Sequence, residues 1–150
     1  MRKNFKKATI FLMLLLTVTL YSQTDGYNEM YQLKKINNEL EKHYDKSVFQ
    51  TYYKLVSIKD DVLKIKKFFY TKKGLFNNGE FYLPMNSIDV SNIKYKKKSV
   101  LIRTKEKKRV IEKKDKGKTT KFFGLYLKSY AGKKMDKEIM EMLIELFKKH

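Results

Sequence analysis

The sequence predicts an α+β fold in which about seven antiparallel strands lie between two helices. Apolar residues recur at intervals of three and four in residues 30–44 and again in 135–147, which is the period of a helix. Between these segments, residues 49–130 alternate in polarity and are rich in aromatic and β-branched side chains, as strands are. A chain of 150 residues, 42% of them hydrophobic, is long enough for one such domain with its own core.

The amino-terminal segment has the order of a secretory signal peptide. Residues 1–7 contain four basic residues and no acid, and residues 8–20 are an uncharged apolar run, after which the chain becomes polar. Thirteen helical residues span only about 20 Å, which is less than the hydrocarbon core of a bilayer. We therefore predict a signal peptide over residues 1–22 and export across the inner membrane. Cleavage after Ser22 or Gln23, retention as an anchor, and a periplasmic, envelope or secreted destination all stay open.

Residues 23–48 are predicted to form the first helix and a linker. Asp25 and Asn28 are residue types that cap a helix N-terminus. After them, one helical face of about four turns carries the apolar residues Met30, Leu33, Ile36, Leu40 and Tyr44. Lysine and glutamate occupy the remaining positions, so this helix is predicted to pack on one side only.

Residues 49–150 are predicted to hold the strands and the second helix. The predicted strands are 49–58, 62–70, 80–83, 92–96, 99–104, 109–113 and 121–130. A tight turn is expected at Asp60 and Asp61, and a second hairpin loop at Gly74 and 77–79, because Asn and Gly tolerate the positive φ of such turns. Pro84 ends the third strand because it cannot donate to the ladder.

The carboxyl-terminal segment is predicted to be an amphipathic helix that caps the sheet. Its continuous apolar stripe consists of Met135, Ile139, Met142, Leu143, Leu146 and Phe147.

This order of elements resembles the pleckstrin-homology-like (PH-like) fold, in which a partly open barrel or two-sheet sandwich is closed at one end by the last helix. The segments VSIKDDVLKIKKFFY, LPMNSIDVSNIKY and MDKEIMEMLIELFKK look like those of small, uncharacterised exported bacterial proteins of that shape. Members that bind phosphoinositides use basic residues on the first two strands and their loop, where this chain has Asp60 and Asp61. The resemblance therefore implies a fold and no phosphoinositide ligand.

Positive charge is concentrated in residues 94–121. The whole chain has a formal charge of +19, and this stretch holds fourteen Lys or Arg against three acids. Such a field attracts polyanions, although AT-rich codons also raise the lysine content and lysine on edge strands prevents aggregation. Taken as three adjacent strands and their turns, the stretch predicts an anion-binding surface made of Lys94, Lys96, Lys97, Lys98, Arg103, Lys105, Lys107, Lys108, Arg109, Lys113 and Lys114.

Few residues in the chain support a catalytic site or a metal-binding site. The chain has no Cys and only two His, His43 and His150, so a thiolate or histidine metal site lacks partners. No nucleophile motif and no glycine-rich phosphate loop occurs, and we expect no catalytic residue, cofactor or metal. The leading hypothesis is a non-enzymatic exported domain whose basic surface binds anionic lipid or an envelope glycan. The alternatives are an envelope protein-protein interaction module whose charge serves solubility and, less in keeping with export, nucleic-acid binding.

Overall fold

A computed structural model describes residues 28–44, 50–96, 99–128 and 133–150, with side chains from residue 137 onwards in the last range. Several of the predictions fall outside the described side chains: these are the signal peptide, the start of the first predicted strand, Lys97, Lys98 and Met135. The chain divides into two units, 1–31 and 32–150. Residues 28–31, at the start of the first helix, belong to the first unit, and everything else below concerns the second.

The fold is α+β, with two helices and two antiparallel sheets. In chain order the elements are α1 (28–41), β1 (Thr51–Lys59), β2 (Val62–Thr71), β3 (Gly74–Pro84), β4 (Lys94–Tyr95), β5 (Ser99–Arg103), β6 (Ile111–Asp115), β7 (Lys118–Phe122), β8 (Gly124–Lys128) and α2 (Lys133–Phe147). Five strands form one sheet in the order β1-β2-β3-β6-β7, and three form the other in the order β4-β5-β8. Within the described residues the strands do not close into a barrel, so the two-sheet arrangement is the observed one.

Two turns decide the register of the large sheet. Asp60 and Asp61 both have positive φ and join β1 to β2, which confirms the predicted tight turn. The β2–β3 loop consists of Lys72 and Lys73, followed by Gly74 at φ +116. The prediction of a loop at residues 77–79 was wrong, because these residues lie within β3 and form a bulge where the register shifts.

The predicted strand 121–130 was also wrong, since it comprises two strands in different sheets. β7 ends at Phe122 and pairs with β6, whereas β8 begins at Gly124 and pairs with β5. Phe123 is the bend between them. The number of strands in the described residues is therefore eight, and the chain crosses from one sheet to the other at this point.

The core combines α1, α2 and the inner faces of the strands. Leu33, Ile36 and Leu40 of α1 are buried, as predicted, but Met30 is exposed. The α2 stripe is confirmed in its described part, where the buried residues are Ile139, Leu143, Leu146 and Phe147. The strands contribute Leu55, Leu63, Ile65, Leu83, Val100, Ile102, Ile111 and Leu127 to the same cluster. No helix in the described ranges has the length and apolar character needed to cross a membrane.

Candidate anion-binding cleft

The basic stretch 94–121 does not form one surface of three adjacent strands. β4 and β5 belong to the three-stranded sheet, and β6 and β7 belong to the five-stranded sheet. That part of the prediction was wrong because the turn between β5 and β6 carries the chain from one sheet to the other. The proposed set therefore divides into exposed side chains, namely Lys94, Lys96, Lys105, Lys107, Lys108, Arg109 and Lys114, and the partly buried Arg103 and Lys113.

Several of the exposed lysines have local partners. Lys108 Nζ lies 2.8 Å from Glu106 Oε2, and this contact raises the pKa of Lys108. Lys105 Nζ donates to the Asn86 carbonyl oxygen at 2.7 Å. Lys114 Nζ stands 4.7 Å from the centre of the Tyr82 ring, which is a cation-π distance. These contacts hold the lysines at the surface, but they do not gather them around one point.

The predicted alternation in this stretch holds only in part. Val100 and Ile102 of β5 are both buried, as expected for one core face. A period of two over the predicted strand 92–96 gives Ile93 and Tyr95 the same face, yet Ile93 is buried and Tyr95 is exposed. The reason is that a 3-10 turn, Val90–Asn92, precedes β4, so Ile93 lies before the strand and does not follow its period of two.

A cleft of about 520 Å³ lies between residues of both sheets. Its apolar floor is formed by the buried side chains of Tyr53, Phe81, Leu101 and Leu125. Three further aromatic residues of the lining, Phe122, Phe123 and Tyr126, are 36%, 43% and 46% exposed. The volume is within the usual range for a small-ligand site.

Three cationic side chains line this cleft, and Lys67 is the least expected of them. Residues of one strand face alternate, and Lys67 follows Leu63 and Ile65 on the inner face of β2. It pairs with the buried Tyr53 of β1. Burial lowers the pKa of Lys67, and the nearby charges of Lys113 and Lys128 lower it further, against an opposing effect of Asp115. An ammonium group in such surroundings is stabilised by a bound anion.

Lys113 occupies the corresponding inner position on β6, two residues after the buried Ile111. It pairs with Phe81 across the β3–β6 ladder, and its Nζ lies 3.1 Å from Asp115 Oδ2. Asp115 is the acid nearest to these lysines in the described contacts, and it is itself partly exposed. The carboxylate therefore balances only part of the charge at this end of the cleft.

Arg103 supplies the third cation from the opposite sheet. Within the described residues, its buried Nε finds no hydrogen-bond acceptor. Since a buried donor without a partner costs free energy, this atom is suited to an acceptor that arrives with a ligand. The pairing of Arg103 with Gly124 places the guanidinium-bearing residue beside the β7–β8 crossing.

Two local features fix the cleft walls. Gly79, at φ +98, lets β6 approach closely, because a Cβ there would lie 2.9 Å from both Lys113 Cε and the Lys114 carbonyl oxygen. On the other wall, the buried Thr104 holds the bend between β7 and β8 in place, because its backbone N–H donates to the Phe123 carbonyl oxygen at 3.0 Å. Its hydroxyl is 2.6 Å from the Lys108 carbonyl oxygen, which ties the β5–β6 turn to the same place.

Sequence reasoning named Arg103 and Lys113 but missed Lys67. The signal was present, because a period of two along VLKIKKFFY puts Lys67 on the same face as Leu63 and Ile65. The aromatic lining was not predictable as a unit, since Tyr53, Phe81, Phe122 and Tyr126 come from four strands that belong to two different sheets.

No group of three His, Asp or Glu side chains that could hold a metal occurs among the described residues. Comparisons of the chain with protein-family models, curated proteins and solved structures gave no match. The cleft must therefore be interpreted from its own residues.

Proposed function

We propose that this protein is a non-enzymatic binding domain of the bacterial envelope that takes an anionic amphiphile, such as an anionic lipid, into the cleft. The observation that carries the proposal is the placement of Lys67, Arg103 and Lys113 beside an apolar floor. Their charges suit a phosphate or carboxylate head, and the floor suits an acyl chain or a ring.

The nature of the floor favours a lipid over a glycan. Tyr53, Phe81, Leu101 and Leu125 present buried apolar surface, whereas a glycan needs several hydrogen-bonding groups around its hydroxyls. Burying an alkyl chain contributes about 0.8 kcal/mol per methylene, and the charged head adds orientation. The exposed lysines of residues 94–114 then serve to attract the ligand or the surface that carries it.

The same proposal includes export of the protein and its resemblance to the PH-like fold. The basic and apolar order of residues 1–22 supports export, which would bring the domain to anionic envelope lipids. The PH-like resemblance is compatible with two antiparallel sheets and a carboxyl-terminal helix, and we retain it as a proposal.

The test is calorimetric titration of the protein, as the cell processes it, with decyl phosphate below its micelle-forming concentration. Inorganic phosphate and a neutral decyl glycoside serve as the two half-ligands. We expect one-to-one binding of decyl phosphate and at least tenfold weaker binding of each half-ligand. Lys67→Gln and Arg103→Gln should each weaken binding about tenfold or more, as expected for a hydrogen bond to a charged group.

Lys54→Gln is the matched control, because Lys54 is exposed and follows Tyr53 on the opposite face of β1. Equal losses of affinity for decyl phosphate in Lys54→Gln and Lys67→Gln would show that binding depends only on the net charge of the protein, and would contradict the proposal. Binding of a short oligonucleotide that displaces decyl phosphate would favour nucleic acid instead. Capture of an envelope protein that survives high salt, together with no decyl phosphate binding, would favour the protein-interaction alternative.

A further inference from the structure

The tip of the β2–β3 hairpin carries exposed apolar side chains that the cleft does not use. Leu75 and Phe76 are each 49% exposed. The ladder pairs them with Tyr70 and Phe69, both partly buried. A large apolar residue on a surface is unremarkable alone, but here two of them, each with an aromatic ladder partner, lie at the end of one hairpin.

The tip extends beyond the strand that follows it in the sheet. β3 pairs with β6 only through Glu80, Phe81 and Tyr82, so residues 74–79 have no ladder partner on that side. On the other side, β1 accompanies β2 as far as Thr51, which pairs with Phe69, and the Tyr70 N–H donates to the Gln50 carbonyl oxygen at 2.9 Å. Because adjacent strand residues point to opposite faces, Leu75 and Phe76 project from the two sides of this end of the sheet. A flat protein surface would cover one of these side chains and leave the other in water.

The charge at the tip is wholly positive. Residues 62–79 contain five lysines and no acid, and two of these lysines, Lys72 and Lys73, form the exposed turn itself. Lys64 and Lys66 approach the carboxylate of Glu80, at 2.8 and 3.6 Å, and so lie away from the turn. The turn is also well formed, since Lys73 N–H donates to Thr71 Oγ1 at 3.1 Å.

From these observations we propose that the β2–β3 tip docks on an anionic bilayer surface. Leu75 and Phe76 enter the interfacial region from the two faces of the hairpin end, and Lys72 and Lys73 stay among the lipid head groups. A fluid interface can surround both faces at once, and long lysine side chains reach the head groups while their stems lie in apolar surroundings. A second copy of the chain fits less well, because the tip-to-tip contact would bring four lysines together.

This inference is independent of the cleft, since none of the four tip residues lines it. The tip would hold the domain at the membrane, whereas the cleft would take up a monomeric amphiphile. The two proposals can therefore fail separately, provided that the hairpin test uses vesicles and the cleft test uses a soluble ligand.

The chain contains no Trp, so Phe76→Trp provides a reporter at one site. The protein, as the cell processes it, is mixed with vesicles of phosphatidylcholine containing phosphatidylglycerol, and with phosphatidylcholine alone. We expect the emission of Phe76→Trp to shift to shorter wavelength, and to be quenched by brominated acyl chains, only with the anionic vesicles. Tyr95→Trp, at an exposed position in the other sheet, should show neither change.

Adding Lys72→Gln and Lys73→Gln to Phe76→Trp should lower the apparent partition coefficient of the tip about thirtyfold, the factor that corresponds to about 1 kcal/mol per lysine. Because all variants share the amino-terminal segment, it contributes equally to each. Equal shifts at positions 76 and 95, or no shift with anionic vesicles, would overturn the proposal. A shift that appears on raising protein concentration without lipid would overturn it in favour of self-association.

Discussion

The side-chain amide of Asn37 in α1 makes two hydrogen bonds to the backbone of Leu55 in β1. Asn37 Nδ2 donates to the Leu55 carbonyl oxygen at 2.8 Å, and the Leu55 N–H donates to Asn37 Oδ1 at 2.8 Å. An amide group that both donates and accepts in this way reproduces the pairing that a neighbouring strand would give. A helix side chain thus replaces a strand at this edge.

The same edge is covered two residues earlier. The Tyr53 N–H donates to the hydroxyl of Tyr44 at 3.2 Å, and that hydroxyl also lies 3.4 Å from the Tyr53 carbonyl oxygen. β1 is the outer strand of the five-stranded sheet, so its outward backbone groups would otherwise be open to another chain. The first helix and the following residue Tyr44 therefore have a second role besides packing in the core, because together they cover an edge of the sheet.

Asn37→Ala should destabilise the domain by about 2 kcal/mol, because it removes two hydrogen bonds and leaves both Leu55 backbone groups without these partners. Urea denaturation measures the free energy of unfolding. Asn38→Ala, at the neighbouring exposed position of the same helix, is the control and should change it by less than about 0.5 kcal/mol. Equal losses for the two variants would contradict edge closure by Asn37, because alanine has the higher helix propensity and should by itself stabilise the helix at either position.

Lys67→Met should stabilise the unliganded domain while it weakens decyl phosphate binding. Burial and the neighbouring charges lower the pKa of Lys67, which means that its protonated form is less favourable in the folded state than in the unfolded chain. Methionine keeps the apolar stem and removes the charge. Because Lys67 is only partly buried, water screens much of this cost, and we expect the free energy of unfolding to rise by less than about 1 kcal/mol at pH 7. A loss of stability would contradict this account of Lys67.

The difference in stability between Lys67→Met and the natural chain should decrease as the pH rises. Below the lowered folded-state pKa of Lys67, both folded and unfolded chains carry the proton and the cost to the native protein is complete. As the pH rises through that pKa towards the ordinary lysine value, the folded protein releases the proton and the cost disappears. The advantage of Lys67→Met over the natural chain should therefore shrink between neutral and strongly alkaline pH. Paired thermal unfolding at several pH values would measure it.

The parts of the fold that sequence predicted well are those set by local chemistry. The α2 stripe follows from a helical period, and the β1–β2 turn follows from two adjacent residues, Asp60 and Asp61, that tolerate positive φ. The segment 77–79 misled the prediction because its residues have the same local preference for positive φ. There the positive φ of Gly79 serves a bulge in β3, and only the β6 backbone packed against it distinguishes the two cases.

Sheet membership and the cleft depended on pairing between distant residues. In KTTKFFGLYLK, Gly124 is a local sign of a bend, but it does not show that β7 and β8 pair with strands of different sheets. For the same reason, Arg103 and Lys113 were named as members of a basic surface, although they face a common cleft with Lys67. Charge composition predicted an anionic ligand, which stays a proposal, and only the strand register brings these three cations to one cleft.

Glu80→Gln should reduce stability at neutral pH by less than about 1 kcal/mol, since the group is partly exposed. Lys64 Nζ at 2.8 Å lowers the pKa of Glu80 most, and a hydrogen bond from the Tyr82 hydroxyl lowers it further. This stabilisation is present above the unfolded-state pKa and is lost as the pH falls through the lower folded-state pKa. The natural chain and the variant should therefore converge in strong acid. A pH-independent difference in melting temperature would contradict the role assigned to Lys64.

Gly79→Ala should cost more stability than Gly74→Ala, because only Gly79 is packed against other atoms. Both glycines have positive φ, so each alanine incurs backbone strain of about 1–2 kcal/mol. Around Gly74 no atom lies within 4 Å of an added Cβ, whereas at Gly79 the Cβ would meet Lys113 Cε and the Lys114 carbonyl oxygen at 2.9 Å. That overlap should lower the free energy of unfolding, measured by urea denaturation, by a further amount of about 1–3 kcal/mol. It should also displace Lys113 and weaken decyl phosphate binding, which Gly74→Ala leaves unchanged. Equal effects of the two substitutions on stability and binding would mean that the bulge does not position the cleft lysine.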